Sequence, residues 1–188
     1  MELPTLSQIE SELQKEQYKH AYGRVVRSTL YTLLIVAACA VLVAVMLFPV
    51  LQINGSSMTE TLWEGDIVVA VSGSKYSTGD VIAFYYNNSI LVKRVIAVSG
   101  DWVDIDAEGN VSVNGEQLYE PYVTQKALGN CNITLPYQVP EGKVFVMGDH
   151  RDTSVDSRNT AVGCISDELM VGRIFLRVWP LSEIGTVK

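Results

Sequence analysis

The hydrophobic and polar positions divide the chain into two parts. Residues 28–59 form a run of 32 residues without a charged side chain, and residues 28–50 are almost wholly apolar. As a helix, residues 28–50 would rise about 34 Å, enough to cross the roughly 30 Å hydrocarbon core of a bilayer. This pattern predicts a single uncleaved transmembrane helix at 28–50. A cleaved secretory signal is the alternative, but its apolar segment would be shorter, and residues 49–51 (PVL) offer no small-residue cleavage site.

The residues before the predicted span indicate its orientation. Four basic residues precede the span, and the next basic residue is Lys75; the four are Lys15, Lys19, Arg24 and Arg27. By the positive-inside rule, residues 1–27 are cytoplasmic and residues 51–188 lie outside the membrane. Leu6, Ile9 and Leu13 recur at helical spacing, which predicts a short amphipathic helix on the membrane surface; an unstructured tail is the alternative.

Beyond the span, apolar and polar residues alternate with period two, and β-branched residues are frequent. These segments predict strands at 66–70, 81–85, 90–98, 102–105, 143–147 and 171–178. Asn114-Gly115 between two short alternating runs is typical of a tight hairpin. Residues 101–142 are therefore predicted to be a hairpin with a loop-rich extension. The fold class that follows is mainly β: one N-terminal transmembrane helix and one antiparallel β domain at 51–188.

Charge and cysteine content exclude some functions. Residues 51–188 carry 10 Lys and Arg against 17 Asp and Glu, so the whole net charge of −7 lies in the external part, which argues against a nucleic-acid partner. Cys131 and Cys164 fall in this part, where a disulfide is chemically allowed. Neither cysteine has metal-ligand spacing, and we expect no metal site.

A candidate nucleophile, Ser57, follows the predicted span in residues 55–58 (GSSM). A serine hydroxyl needs a neighbouring base to take its proton. The chain has two histidines: His20 precedes the span, on the other side of the membrane, and His150 lies in a polar loop. A lysine can serve as the base if its amine is neutral near pH 7. Turn composition alone would also explain the residues around Ser57.

Lys93 lies in an apolar strand that would lower its pKa. Alternation places Lys93 on the same face as Leu91, Val95 and Ala97, where burial disfavours the charged ammonium. The alternative is a lysine at a strand edge with its ammonium in water.

A third cluster, residues 148–158 (GDHRDTSVDSR), follows an apolar strand. It could be a solvated loop of mixed charge. A calcium loop built on Asp149, Asp152 and Asp156 is weaker, because the spacing is not that of an EF-hand. The third interpretation is a loop that places a hydroxyl beside a buried lysine and is braced by an Asp-to-Arg ion pair.

Four stretches in this order resemble the bacterial type I signal peptidases, membrane-bound serine proteases with a Ser/Lys dyad. The stretches are residues 55–62 (GSSMTETL), 79–84 (GDVIAF), 92–101 (VKRVIAVSGD) and 148–158. The resemblance implies that Ser57 is the nucleophile, that Lys93 is the general base, and that Ser154 hydrogen-bonds this base. It further implies that Asp156 and Arg158 form the ion pair that stabilises the loop at residues 148–158. The chain departs from the family pattern at Glu60, where Pro is usual, and at His150 and Thr153, where Asn is more usual.

At Gly55 some members of the family place a hydroxyl that assists the oxyanion hole, so here we expect backbone N–H groups to stabilise the oxyanion. The resemblance implies no cofactor and an extended substrate bound against strand edges. Small side chains such as Ala, directly before the cut and two positions earlier, would contact apolar residues, for which Met58, Ile53 and Leu51 are candidates.

The predicted function is removal of signal peptides from exported preproteins by an endopeptidase anchored in the bacterial cytoplasmic membrane. Its partners would then be preproteins and the lipid bilayer. Two alternatives stay open: a self-cleaving Ser/Lys repressor-type protease, and a catalytically inactive membrane-anchored assembly or chaperone domain. The predicted span and the lack of a DNA-binding segment argue against the repressor type.

Overall fold

The computed structural model describes residues 6–73 and 75–187. The chain divides between Ala44 and Val45 into two compact units. Helix α1 (Leu6–Leu47) makes up nearly all of the first unit and continues into the start of the second. Within α1, Tyr22–Leu47 is long and apolar enough to cross a membrane, with a mean hydropathy of 2.8, and it is exposed throughout.

The bounds of α1 differ from those of the predicted span. The helix begins well before residue 28 and ends at Leu47, whereas Val50 already belongs to the first strand. Pro49 explains the end, because a proline disfavours helical backbone at the preceding residue and cannot continue a helix. The polar residues before the span contain no proline from Leu6 onward, so nothing there interrupts the helix.

The second unit is built on an eight-stranded antiparallel sheet. Neighbouring strands follow the order β1-β2-β11-β3-β4-β9-β10, and β12 pairs with β11. The strands are β1 (Val50–Gln52), β2 (Ile67–Val71), β3 (Val81–Tyr86), β4 (Ser89–Ala97), β9 (Lys143–Met147), β10 (Ile165–Ser166), β11 (Met170–Trp179) and β12 (Gly185–Thr186).

A smaller antiparallel sheet of four strands forms most of the extension between β4 and β9. Its order is β7-β6-β5-β8, with β5 (Trp102–Ile105), β6 (Val111–Val113), β7 (Glu116–Gln117) and β8 (Tyr137–Gln138). Asn114, at φ +54°, and Gly115, at φ +83°, join β6 to β7, and positive φ at both central residues is what a tight primed hairpin turn requires. A mainly antiparallel β fold after one N-terminal apolar helix confirms the predicted fold class.

Pairing within the larger sheet determines where the chemistry can lie. β3 pairs with β4 from Ser89 to Arg94, whereas β9 pairs only with the second half of β4, from Arg94 to Ala97. The edge of β4 from Ser89 to Lys93 on the β9 side therefore has no neighbouring strand in the described sheet. β1 is the end strand of the same sheet, so among the residues that the structure describes its outer edge also has no strand partner.

Candidate active site

Ser57 and Lys93, 36 residues apart in sequence, are in direct contact. Lys93 Nζ lies 2.6 Å from Ser57 Oγ, a hydrogen-bond distance. Lys93 is held by β4, and Ser57 stands in the turn segment that follows β1. Gly55 has φ +87°, a conformation that side chains other than glycine rarely adopt, and it turns the chain just before the serine.

Burial changes the acid–base character of Lys93. The residue is 3% exposed. Its pKa is lowered from 10.5 to about 8, chiefly because burial disfavours the ammonium; the Asp156 carboxylate opposes this shift and the Arg158 guanidinium adds to it. The amine is thereby brought into the range in which a general base works near neutral pH, the direction expected from its apolar strand.

The backbone of Ser57 is held by residues 148–150. The backbone N–H of His150 donates to the Ser57 carbonyl oxygen over 3.1 Å. A methyl group at Gly148 would collide with that same carbonyl and with Ser154 Oγ, so only glycine fits there. The His150 ring nitrogen Nδ1 lies 3.0 Å from Thr153 Oγ1.

Ser154 packs against Gly148, beside the Ser57 carbonyl, but does not make the predicted bond to Lys93. The side chain is 1% exposed, and among the described residues its hydroxyl has no hydrogen-bond partner. A hydrogen bond from Ser154 to Lys93 is thus absent from this structure, although both residues are buried.

Asp156 and Arg158 form an ion pair, as the resemblance implies. Arg158 Nε and Nη2 donate to the two carboxylate oxygens of Asp156, each over 2.8 Å. Arg158 also donates to the carbonyls of Leu128 and Arg151, and Asp156 accepts from the Gly148 N–H over 3.0 Å. The pair therefore fixes the loop after β9 to the loop-rich extension.

A buried network around Arg94, which the sequence reasoning missed, joins three of the motif segments. Arg94 Nε and Nη2 donate to the two carboxylate oxygens of Asp149 over 2.9 and 2.6 Å. Thr61, four residues after the nucleophile candidate, donates to Asp149 over 2.5 Å, and the Arg94 guanidinium lies 3.8 Å from the centre of the Tyr122 ring. The sequence did contain a signal for this network. Arg94 is a second charged residue within an apolar strand, and a buried charge requires a partner.

A second buried ion pair also escaped the sequence reasoning. Arg151 donates to both carboxylate oxygens of Glu120, and both side chains are fully enclosed. Glu120 is in the loop-rich extension and Arg151 follows β9. Four charged residues of the 148–158 cluster, Asp149, Arg151, Asp156 and Arg158, are therefore partners in buried ion pairs, whereas Asp152 is exposed.

An open groove of about 780 Å³ ends at Ser57. One wall runs from Val50 to Met58 and the other from Tyr85 to Val92. Leu51, Ile53 and Met58, the three residues predicted to contact substrate, all line it. The strand edges of β1 and β4 that have no strand partner form these two walls.

No cluster of three or more His, Cys, Asp or Glu side chains that could hold a metal ion occurs in residues 6–73 and 75–187. Cys131 and Cys164 are free thiols in the structure. The groups in contact at the end of the groove are the Ser57 hydroxyl and the Lys93 amine.

A serine hydroxyl in contact with a buried amine of lowered pKa, on an antiparallel β domain that follows an apolar helix, defines the class of serine hydrolases with a lysine base. Comparison with known proteins identifies the family. The family model described as signal peptidase, peptidase S26, matches residues 26–179. The chain belongs to this signal peptidase family.

Two signal peptidases of known sequence agree with the family match. Signal peptidase IB of Staphylococcus aureus is 37% identical over 151 residues, covering 70% of this chain and 78% of that protein. Signal peptidase I of Bacillus licheniformis is 32% identical over 165 residues, covering 81% of this chain and 88% of that protein. A crystal structure of a signal peptidase I from Enterococcus faecalis V583 superimposes with a TM-score of 0.44 and 28% identity, over 53% of this chain and 97% of that one.

The protein is accordingly an enzyme of the type I signal peptidase class, and its substrates are preproteins that carry signal peptides. The N-terminal apolar helix is consistent with a membrane-anchored enzyme.

Proposed function

We propose that Ser57 is the nucleophile and Lys93 the general base of an endopeptidase that cuts signal peptides after small residues, at Ala-x-Ala sites. The observation that carries this proposal is the 2.6 Å contact between Lys93 Nζ and Ser57 Oγ at the end of the groove. Neither residue has a competing role in the ion-pair network, and the lowered pKa of Lys93 suits a base.

The reaction needs only the side chains in contact and a water molecule. Ser57 Oγ attacks the scissile carbonyl carbon while the neutral amine of Lys93 accepts the hydroxyl proton. The resulting ammonium returns this proton to the leaving amine, which departs as the new N-terminus and leaves an ester on Ser57. Lys93 then takes a proton from water, whose oxygen attacks the ester carbonyl carbon. As the ester C–O bond breaks, the Lys93 ammonium returns that proton to Ser57 Oγ, and the signal peptide leaves as a carboxylic acid that ionises in water.

Two further groups support these steps. Gly55 has no side-chain hydroxyl that could donate a hydrogen bond to the oxyanion. Backbone N–H groups, including that of Ser57, therefore stabilise it. Ser154, Asp156 and Arg158 act indirectly. Ser154 packs against Gly148, and the Asp156–Arg158 ion pair stabilises the loop that holds Gly148 and His150 against the Ser57 backbone.

The groove suits an extended peptide. Strand edges without a strand partner on both walls can hydrogen-bond a substrate strand along its length. Ile53 and Met58 line the groove together with Ser57 and are almost fully buried, so they offer an apolar lining with little free surface for the side chain before the cut. We expect this lining to favour alanine-sized residues.

Cleavage of a preprotein with an Ala-x-Ala site tests the proposal directly. The full-length enzyme in detergent should release the signal peptide, and Ser57→Ala should lower kcat/KM by at least about 10³-fold. Ser56→Ala, a matched control at the exposed neighbouring serine, should retain activity. Cleavage of the enzyme itself in place of the preprotein would favour the repressor-type alternative, and no cleavage of either would favour the inactive domain.

The orientation of the anchored enzyme is also part of the proposal. Basic residues lie before residue 28 and not again until Lys75, and by the positive-inside rule this favours a cytoplasmic location for residues 1–27 and an external β domain. Protease added to intact protoplasts should therefore digest the domain after Val50 and leave an epitope tag at the N-terminus intact. Protection of the β domain until the membrane is lysed would contradict this orientation.

A further inference from the structure

The far end of the groove, away from Ser57, has an apolar surface that the cleavage reaction does not use. Tyr85 and Ile90 stand directly opposite each other on β3 and β4, and they are 53% and 40% exposed. Val50, on the opposite wall, is 62% exposed. All three residues line the groove. We call Val50, Tyr85 and Ile90 the distal subsite.

Strand geometry gives the distance from the distal subsite to the cut. Ile90 precedes Lys93 by three residues on β4, and Val50 precedes Ile53 by three residues on the other wall. At about 3.3 Å per residue, both walls extend roughly 10 Å beyond the residues that flank the nucleophile. An extended substrate with its scissile carbonyl at Ser57 therefore places its fourth or fifth residue before the cut beside Tyr85 and Ile90.

We infer that the distal subsite binds a bulky apolar side chain of the signal peptide, four or five residues before the cut, and so contributes to substrate selection. The inference rests on the proposed function, because the distal subsite is part of the groove that contains Ser57. Three exposed apolar side chains line this part of the groove, and none of them belongs to the core clusters of the second unit. A signal peptide supplies the matching chemistry, because its apolar segment lies shortly before its small-residue cleavage site.

The test uses the full-length enzyme in detergent and two peptides with the same Ala-x-Ala site, carrying Leu or Ser at the fourth and fifth positions before the cut. We expect wild-type kcat/KM to be about tenfold higher for the Leu peptide, mainly through a lower KM. The double variant Tyr85→Ser, Ile90→Ser should cleave both peptides at the rate of the wild-type enzyme on the Ser peptide. Tyr119→Ser, which removes an exposed tyrosine outside the groove, should keep the tenfold preference.

Introducing a charge in the distal subsite tests the inference through a new substrate preference, which loss of folded enzyme could not produce. Ile90→Lys should prefer a peptide with Asp at the fourth or fifth position over the Leu peptide, reversing the wild-type order. Equal cleavage of the Leu and Ser peptides by the wild-type enzyme would overturn the subsite and leave the proposed function standing, whereas cleavage of neither would overturn both. Loss of activity in the double variant only in lipid vesicles, and equally for both peptides, would show that these residues contact lipid and would also overturn the inference.

Discussion

Lys93→Arg should abolish signal-peptide cleavage even though it retains a positive charge and a long side chain. A guanidinium stays protonated in proteins and cannot accept the Ser57 proton. Lys93→Ala removes the base altogether, and we expect kcat/KM to fall by at least about 10³-fold in both variants. Circular dichroism and thermal unfolding of the purified variants would check that the β domain is still folded.

The pH profile tests the same assignment without a mutation. The active form of Lys93 is the neutral amine, so raising the pH through its pKa increases activity. With the pKa lowered to about 8, log kcat/KM should rise with unit slope below pH 8 and level off above it. At pH 7 about a tenth of the amine is neutral, against about one part in three thousand at the ordinary pKa. A profile that keeps rising beyond pH 10 would contradict the lowered pKa.

His150 provides the control for these variants. It contacts the Ser57 carbonyl through its backbone N–H, and its ring lies beside Thr153. His150→Ala preserves that backbone bond and should therefore retain substantial activity. Near-normal turnover by Lys93→Arg together with loss of turnover in His150→Ala would replace the Ser/Lys assignment with a Ser/His mechanism.

Asp149→Ala should strongly destabilise the β domain. It leaves the buried Arg94 guanidinium without its carboxylate partner and leaves Thr61 without its acceptor. Removing one member of a buried ion pair costs about 3 to 5 kcal/mol of the free energy of unfolding. Because Arg94 follows Lys93 and Thr61 lies near Ser57, we also expect a lower kcat at temperatures where the variant remains folded.

Chemical denaturation of the Asp149 variant beside Asp152→Ala would measure this effect. Asp152 is in the same loop but exposed, so its removal should change the free energy of unfolding by less than about 0.5 kcal/mol. The double variant Arg94→Met, Asp149→Leu should recover part of the loss, since a buried pair can often be replaced by apolar residues. Equal stability of Asp149→Ala and Asp152→Ala would contradict a structural role for the Arg94 network.

Local patterns in the sequence determined the strands and the two candidate reactive residues. Alternation with period two predicted β2, β3, β4, β5, β9 and β11 within one or two residues, because a strand with one buried face must repeat in this way. The same alternation placed Lys93 among apolar neighbours. Ser57 was found from its motif and its position after the apolar segment.

Tertiary structure decided which residues meet. Ser57 reaches Lys93 only because β9 stops pairing with β4 at Arg94, which leaves the edge of β4 beside Lys93 open. Charge alone could not assign the acidic residues of the 148–158 cluster to their partners, since sequence spacing allows several pairings. In the folded protein, Asp149 pairs with Arg94 and Arg151 pairs with Glu120. Ser154 does not make the hydrogen bond to Lys93 that the family resemblance implied.

The sequence by itself thus determined the elements and the chemical identity of the candidate groups, because periodicity and residue type are local properties. The distances between those groups, the lowered pKa of Lys93 and the shape of the groove were decided by the tertiary structure. Each of them depends on burial and on contacts between segments tens of residues apart, and no local pattern encodes those contacts.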